Sequence, residues 1–306
     1  SFARRFSRYI DRFVEFPGYP GIHERPVDPA RTHRFMEEQR AYGYDLVVQM
    51  QGNGQTSNRF ALDLGSPVTV GYYPGVPSSG LTLGAIYPDR QPEIYRDLGL
   101  ASLLGCDDLD PTLEFPLFEV ERLEAARLLS QVHNKTRPLI GIHPGASRPS
   151  QRWPVDYFAA LADRLSREAG ASIFFTGDAR EMNTVAEVID RMSTQACNLA
   201  GRTSIGVLAA LIEQCDLFIS NDTGPAHIAD ALDTPSITLF GPVEPRRWAS
   251  LNHSHRHPII RHKVECSPCG YDDCPIDHRC LRRIEPQTVY ETATQLLTRT
   301  HRLCNV

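Results

Sequence analysis

The chain has 306 residues, with 37 Asp and Glu against 32 Lys and Arg and a formal net charge of −5. Such a balance provides no basic face for a phosphate backbone, which excludes a general nucleic-acid binder but not a local anion site. The length suits two domains with a core each, and no run approaches the roughly 18 apolar residues of a membrane-spanning helix.

The opening residues, Ser1 to Arg5, do not lead into a signal-peptide core. Four of the eight cysteines are crowded into one segment and the rest are scattered. That is not how a disulfide-stapled domain is built, and it points to a reducing, cytoplasmic setting. The chain begins with an expected helix on which Arg4, Arg5, Arg8 and Arg12 accompany Phe6, Ile10 and Phe13. This face either packs inside the protein or touches anionic lipid, a peripheral contact with the inner membrane surface; packing is the favoured reading.

Further along, periodicity predicts a helix over Arg31 to Tyr42, a strand over Asp45 to Gln49, a helix over Gln55 to Leu64 and a strand over Val68 to Gly71. Pro and Gly make Tyr72 to Pro92 a loop. The run Pro111 to Pro116 and a helix beginning at Glu119 lead to a boundary near 135, giving domains 1–134 and 135–306. The second domain alternates strands (Leu139 to His143, Ser172 to Thr176, Leu217 to Ser220, Ser236 to Phe240) with helices (Pro154 to Ala169, Glu181 to Met192, Ile205 to Cys215, Pro225 to Leu232). A last helix covers Pro286 to Arg299. Alternation of this kind is the grammar of an α/β fold around a parallel sheet.

Three strand ends carry the candidate chemistry. In Ser220-Asn221-Asp222-Thr223-Gly224-Pro225-Ala226-His227, Asp222 or Thr223 caps a helix and Pro225 fits its first turn. The helix N–H groups and dipole then form an anion site at the carboxyl edge of the sheet; alone, the segment reads equally as a capped turn without ligand. In His143-Pro144-Gly145-Ala146-Ser147-Arg148, Gly145 permits close backbone approach, and Arg148 and Arg152 offer charge to a diphosphate. The third loop, from Gly241 to Trp248, repeats the pattern with Arg246 and Arg247. Trp153 and Trp248 are expected to be packing anchors.

Two metal signals are weighed against this. Asp108-Leu109-Asp110 is read as a chance DxD. Cys266, Cys269, Cys274 and Cys280, spaced C-x2-C-x4-C-x5-C beside His262 and His278, are candidates for zinc or iron–sulfur ligation. Disulfides or unpaired thiols that stabilise a loop are the favoured reading.

The order HPGA…RWP, GRTS, NDTGPAH and LFGPVEPRRW resembles glycosyltransferase family 9, the ADP-heptose:lipopolysaccharide heptosyltransferases, over 138–300. The resemblance is looser in the first half, where it rests on YDLVVQMQGNGQTSNRFALDLG. It implies a GT-B fold of two Rossmann-like domains facing a cleft. It also implies inverting transfer of heptose from a nucleotide-diphosphate donor such as ADP-heptose to a lipopolysaccharide core or related glycan, lipid-linked or free, with no cofactor. Asp222, Thr223, Gly224 and His227 match the segment holding sugar and diphosphate, Gly145 and Ala146 the loop approaching the phosphates, and Thr203 the loop beside base and ribose. Many relatives carry a Lys two residues before the Trp. Here Gln151 stands there, so Arg148 or Arg152 must provide that charge. Helix N-termini and arginines would hold the leaving diphosphate without metal.

The family's base is an Asp in a Gly-Asp turn after the first strand. No such turn occurs in 1–70, so the catalytic residue is expected upstream of Ser1 and the N-terminal domain is expected to be short by one βαβ unit, on the order of 30 to 50 residues. The alternative is a non-catalytic nucleotide-sugar-binding relative that lacks the base.

Overall fold

In the computed structural model, which describes residues 2–77, 80–132, 138–251 and 255–303 and side chains as far as 299, the chain divides into two compact units, Ser1–Pro111 and Thr112–Val306. The first unit runs α1 (Phe2–Arg5), α2 (Pro29–Tyr42), β1 (Leu46–Gln49), α3 (Ser57–Asp63), β2 (Val68–Tyr73), β3 (Leu83–Ile86) and α4 (Glu93–Leu103). The Asp28 carboxylate caps α2 by accepting from the N–H groups of Ala30 and Arg31, and Gly43 ends it at φ 74°. The strands pair in parallel in the order β1-β2-β3 over a small core of Val70, Tyr72 and Leu100.

Two expectations fail in this unit. The loop read over Tyr72 to Pro92 contains β3, whose four residues include a glycine and are mostly exposed, leaving no alternating pattern to read. The N-terminal helix stops at Arg5, too short to hold a face together by itself, and Ile10 and Phe13 are exposed rather than packed.

The second unit comprises α5 (Glu119–Leu129), β4 (Leu139–His143), α6 (Val155–Glu168), β5 (Ser172–Phe175), α7 (Met182–Asp190), β6 (Cys197–Asn198), α8 (Ile205–Glu213), β7 (Leu217–Asn221), α9 (Gly224–Ala231), β8 (Ser236–Phe240), α10 (Pro245–Trp248), β9 (Ile259–Arg261), α11 (Arg279–Arg282) and α12 (Pro286–Leu303). The six strands form one parallel sheet in the order β6-β5-β4-β7-β8-β9. Alternating residues feed opposite faces. Ile173 and Phe175 join a core with Phe158, Leu161, Leu165 and Val289, while Phe174 joins Leu128, Leu211 and Phe218 on the other side.

The units divide ahead of the expected boundary, which falls within residues 133–137, outside the described residues together with His133. The helix α5 was assigned to the first domain because the prolines before it read as an interdomain approach. Its apolar face instead buries Ala125, Leu128 and Leu129 against α8, and Arg122 makes two 2.8 Å bonds to the Glu213 carboxylate. Among the described residues no helix is long and apolar enough to cross a membrane.

The strand order matters for function. From β4 the chain builds outward to β5 and β6, then returns to place β7 on the other side of β4. The β4 and β7 ends thus flank a topological switch point, where an open parallel sheet leaves a crevice at its carboxyl edge.

Candidate functional site

Asn221, the last residue of β7, organises that crevice. Fully buried, its amide donates to the carbonyl oxygens of Pro144 (2.8 Å) and Gly145 (3.1 Å) and accepts from the Trp153 N–H (3.0 Å). One side chain therefore fixes the loop after β4, the entry to α6 and the turn into α9. A second tie joins the loop after β4 to the cysteine-bearing loop: buried Ser150 donates its hydroxyl to the Tyr271 carbonyl (2.7 Å) and its N–H to that of Asp272 (2.9 Å).

Between these loops lies a cavity of about 950 Å³, within the range of small-ligand sites. Ala146, Ser147 and Arg148 line it after β4, Gly177, Asp178 and Glu181 after β5, Asp222 to Pro225 and His227 after β7, and Pro242 to Glu244 with Arg247 and Trp248 after β8. Thr203 and Ser204 before α8, and Cys269 and Gly270 from the cysteine loop, also line it. Of the residues expected to bind donor, Ala146, Arg148, Thr203, Asp222, Thr223, Gly224 and His227 all face this one cavity.

Its lining is mixed in charge, with Arg148 and Arg247 beside Asp178, Glu181, Asp222 and Glu244. The N-cap of α9 is Thr223, but no side-chain cap closes the helix; the Thr223 hydroxyl donates to the Asn221 carbonyl (3.3 Å). Pro225 has no N–H and the Ala226 N–H donates to the Thr223 carbonyl (3.0 Å), so the helix start meets the cavity at Gly224, where a built Cβ meets nothing within 4 Å. Arg148 reaches the cavity while paired with Asp272 (3.2 Å), and the Arg247 guanidinium lies 4.9 Å from the Trp248 ring centroid. Burial raises the Asp222 carboxyl to about 6, and burial lowers the His227 imidazole below its ordinary value against the opposing charge of Asp230.

Three expected ligands stand behind the wall instead of in it. A Cβ on Gly145 would lie 2.1 Å from Glu181 Oε1, so this glycine makes room for a carboxylate. Arg152 donates its Nε–H to the Ala146 carbonyl (2.9 Å), which braces the loop from outside the cavity lining. A Cβ on Gly241 would come within 2.7 Å of Leu281 Cγ, so this glycine admits α11 to the sheet. The cavity does take Gln151, and the arginines in its lining are Arg148 and Arg247.

Sequence reading missed a group at the β5 end. Glu181 Oε2 accepts the Asp178 N–H (2.7 Å) and lies 3.5 Å from His143 Nε2, while His143 Nδ1 meets the Thr176 hydroxyl at 3.1 Å. Burial lowers the His143 pKa against the charges of Glu181 and Asp178. Glu181 is one of four acidic residues in the lining, with Asp178, Asp222 and Glu244. Trp153 is a buried anchor as expected, its indole N–H bonded to the Ile284 carbonyl (3.0 Å); Trp248 lines the cavity.

Neither metal signal gathers ligands. Among the described residues no group of three or more His, Cys, Asp or Glu side chains is placed to hold a metal ion, Cys266, Cys269, Cys274 and Cys280 included, and these four form no disulfide. The loop uses Cys274 differently, exchanging two 3.3 Å hydrogen bonds with His278.

A cavity at the switch point of a parallel sheet with helices on both faces defines a Rossmann-like α/β protein. The model of glycosyltransferase family 9 (heptosyltransferase) matches residues 32–279, and the chain belongs to that family. It is 34% identical over 223 residues to Lipopolysaccharide heptosyltransferase 2 of Salmonella typhimurium, a match covering 69% of this chain and 61% of that protein. Identity to Lipooligosaccharide heptosyltransferase 2 of Campylobacter jejuni is 30% over 169 residues, covering 54% and 53%. The chain thus spans between half and two thirds of the length of these curated relatives. Among solved structures it resembles E. coli ADP-heptose lps heptosyltransferase II (TM-score 0.67, 26% identity, 88% of this chain and 81% of that one). It also resembles the glycosyl transferase family 9 protein of Veillonella parvula (TM-score 0.71, 23% identity, 87% and 77%). The fold is of the GT-B type.

Proposed function

We propose that the protein transfers heptose from ADP-heptose to a lipopolysaccharide core or related glycan, with inversion and without a metal ion, in the cytoplasm. The observation that carries this reading is the convergence of the β4, β7 and β8 ends on one cavity with the open N-terminus of α9. In that reading the Gly224 N–H at the start of α9, Arg148 and Arg247 take the charge that grows on the diphosphate as the glycosidic bond breaks. Asp222 and His227 stand beside the sugar and phosphates, Thr203 beside the base. Glu181, held by His143 and the Asp178 N–H, accepts hydrogen bonds from the ribose hydroxyls, as an acidic residue does in other sheet-edge nucleotide sites.

The test is incubation with ADP-heptose and a heptose-deficient core acceptor, read by mass spectrometry, with the anomeric configuration of the product read by NMR. Heptosyl addition with inverted configuration that persists in excess EDTA is expected; ADP-heptose left unbound and unconsumed would defeat the reading. The ribose assignment has its own check. ADP should bind roughly 10- to 100-fold tighter than 2′-deoxy-ADP, the worth of a hydrogen bond to a carboxylate. Gly145→Ala, which displaces Glu181, should erase that preference, and a preference that survives the substitution refutes the role of Glu181.

A further inference from the structure

A second polar cluster lies directly behind the α9 wall of the cavity. His257, 5% exposed, shares a 2.9 Å hydrogen bond through Nδ1 with the hydroxyl of buried Ser236 on β8. Its Nε2 faces two carboxylates at the end of α9, Asp233 Oδ1 at 3.5 Å and Asp230 Oδ1 at 3.8 Å. Asp233 is also paired with Arg256 (3.1 Å); Asp230 is almost buried, and Nε2 approaches both carboxylates without a hydrogen bond to either. Asp230 in turn accepts the Ser250 hydroxyl at 2.6 Å. Ser250 lies two residues beyond Trp248, and Asp230 lies three beyond His227, one turn along the same helix.

Both of those aromatic residues belong to the donor cavity, and their rings are 6.1 Å apart. A pocket of about 10 Å³, lined by Asp222, His227, Asp230, Trp248 and His257 among others, connects the two sets of residues. It has room for about one water. The cluster is therefore attached to the phosphate side of the cavity at two points and has no residue on its Thr203 and Glu181 side.

We propose that His257 is a positioning residue for diphosphate binding: through Asp230 it sets His227 on α9, and through the Asp230–Ser250 bond it sets the turn that carries Arg247 and Trp248. A shell of locked neighbours of this kind holds a binding group to within a fraction of an ångström. The inference rests on the reading of the cavity as a nucleotide-diphosphate site.

The experiment is calorimetric titration of the protein and its variants with ADP and, separately, with adenosine. His257→Leu should weaken ADP by about threefold or more and leave adenosine within about twofold. His257→Asn, which keeps a polar atom toward Ser236, should recover part of the loss. Ser250→Ala, which removes only a hydroxyl and leaves the imidazole in place, should weaken ADP about threefold. Equal losses for ADP and adenosine mean that His257 only supports the fold, and unchanged ADP affinity in both His257→Leu and Ser250→Ala means that it positions nothing; either overturns the proposal. Failure of the unsubstituted protein to bind ADP at all would strike the functional reading itself.

Discussion

Asp222→Asn is expected to make the unliganded protein more stable at neutral pH while costing it donor binding. The carboxyl lies 8% exposed with no hydrogen bond or ion pair reaching it among the described residues, and burial alone raises it from 3.8 to about 6. Below the lower value the group is protonated in folded and unfolded chains alike and contributes nothing. Between the two values the folded chain holds a proton that the unfolded chain has lost, so stability falls as pH rises, and above the upper value the penalty is complete. A shift of about two units amounts to about 3 kcal/mol. The amide removes that penalty, less whatever its own burial costs.

The predicted result is a melting temperature above that of the unsubstituted protein at about pH 7.5, with the difference shrinking as the pH falls through the window from about 6 to 3.8. Donor turnover should fall by on the order of 10²-fold or more, the usual worth of one group aimed at the reacting charge. Stability given up at a binding site is a common signature of function. Equal stability of the two proteins across the pH range would show that the carboxyl is not held at a cost.

Asn221→Ala is expected to have the largest effect on the fold around the site. It strands two carbonyl oxygens and one N–H in a fully buried place. A loss of about 2–4 kcal/mol follows, less if water enters. Asn221→Asp is the sharper test, because it keeps the shape and loses the donor. An ionised carboxylate facing two carbonyl oxygens raises its own pKa, so the variant should be destabilised more at alkaline than at acid pH. Chemical denaturation at two pH values measures this. A pH-independent cost would mean that the geometry around Asn221 relaxes without difficulty.

Much of the second unit was legible because its strands are continuous apolar runs and its helices repeat at 3.6 residues. The strands β4, β5, β7 and β8 were read within a residue or so of their ends. The edge elements β3, β6 and β9 were not, since their two to four residues are exposed or half-buried and form no apolar run. The three strand-end loops were readable as neighbours at the carboxyl edge of one sheet, and residues of all three line one cavity.

What sequence could not separate was residues that touch the ligand space from residues that make room for others. Gly145 and Gly241 look alike in a motif, yet one clears space for Glu181 and the other for Leu281. Glu181 itself lies on a helix entry with no motif around it, and a carboxylate is not sought where a phosphate is expected. Asn221 was quoted as part of a turn, but its three bonds span 68 to 77 residues of chain. The only sign available was an amide ending a buried strand, where an unpaired polar group would be too costly to keep.

The most direct test of the account is a crystal structure of the protein soaked with ADP-heptose. The diphosphate oxygens are predicted to lie within hydrogen-bonding distance, about 3 Å, of the Gly224 N–H at the start of α9, with the ribose against Glu181. A nucleotide bound outside this cavity, or bound in it with the phosphates away from α9, would contradict the account.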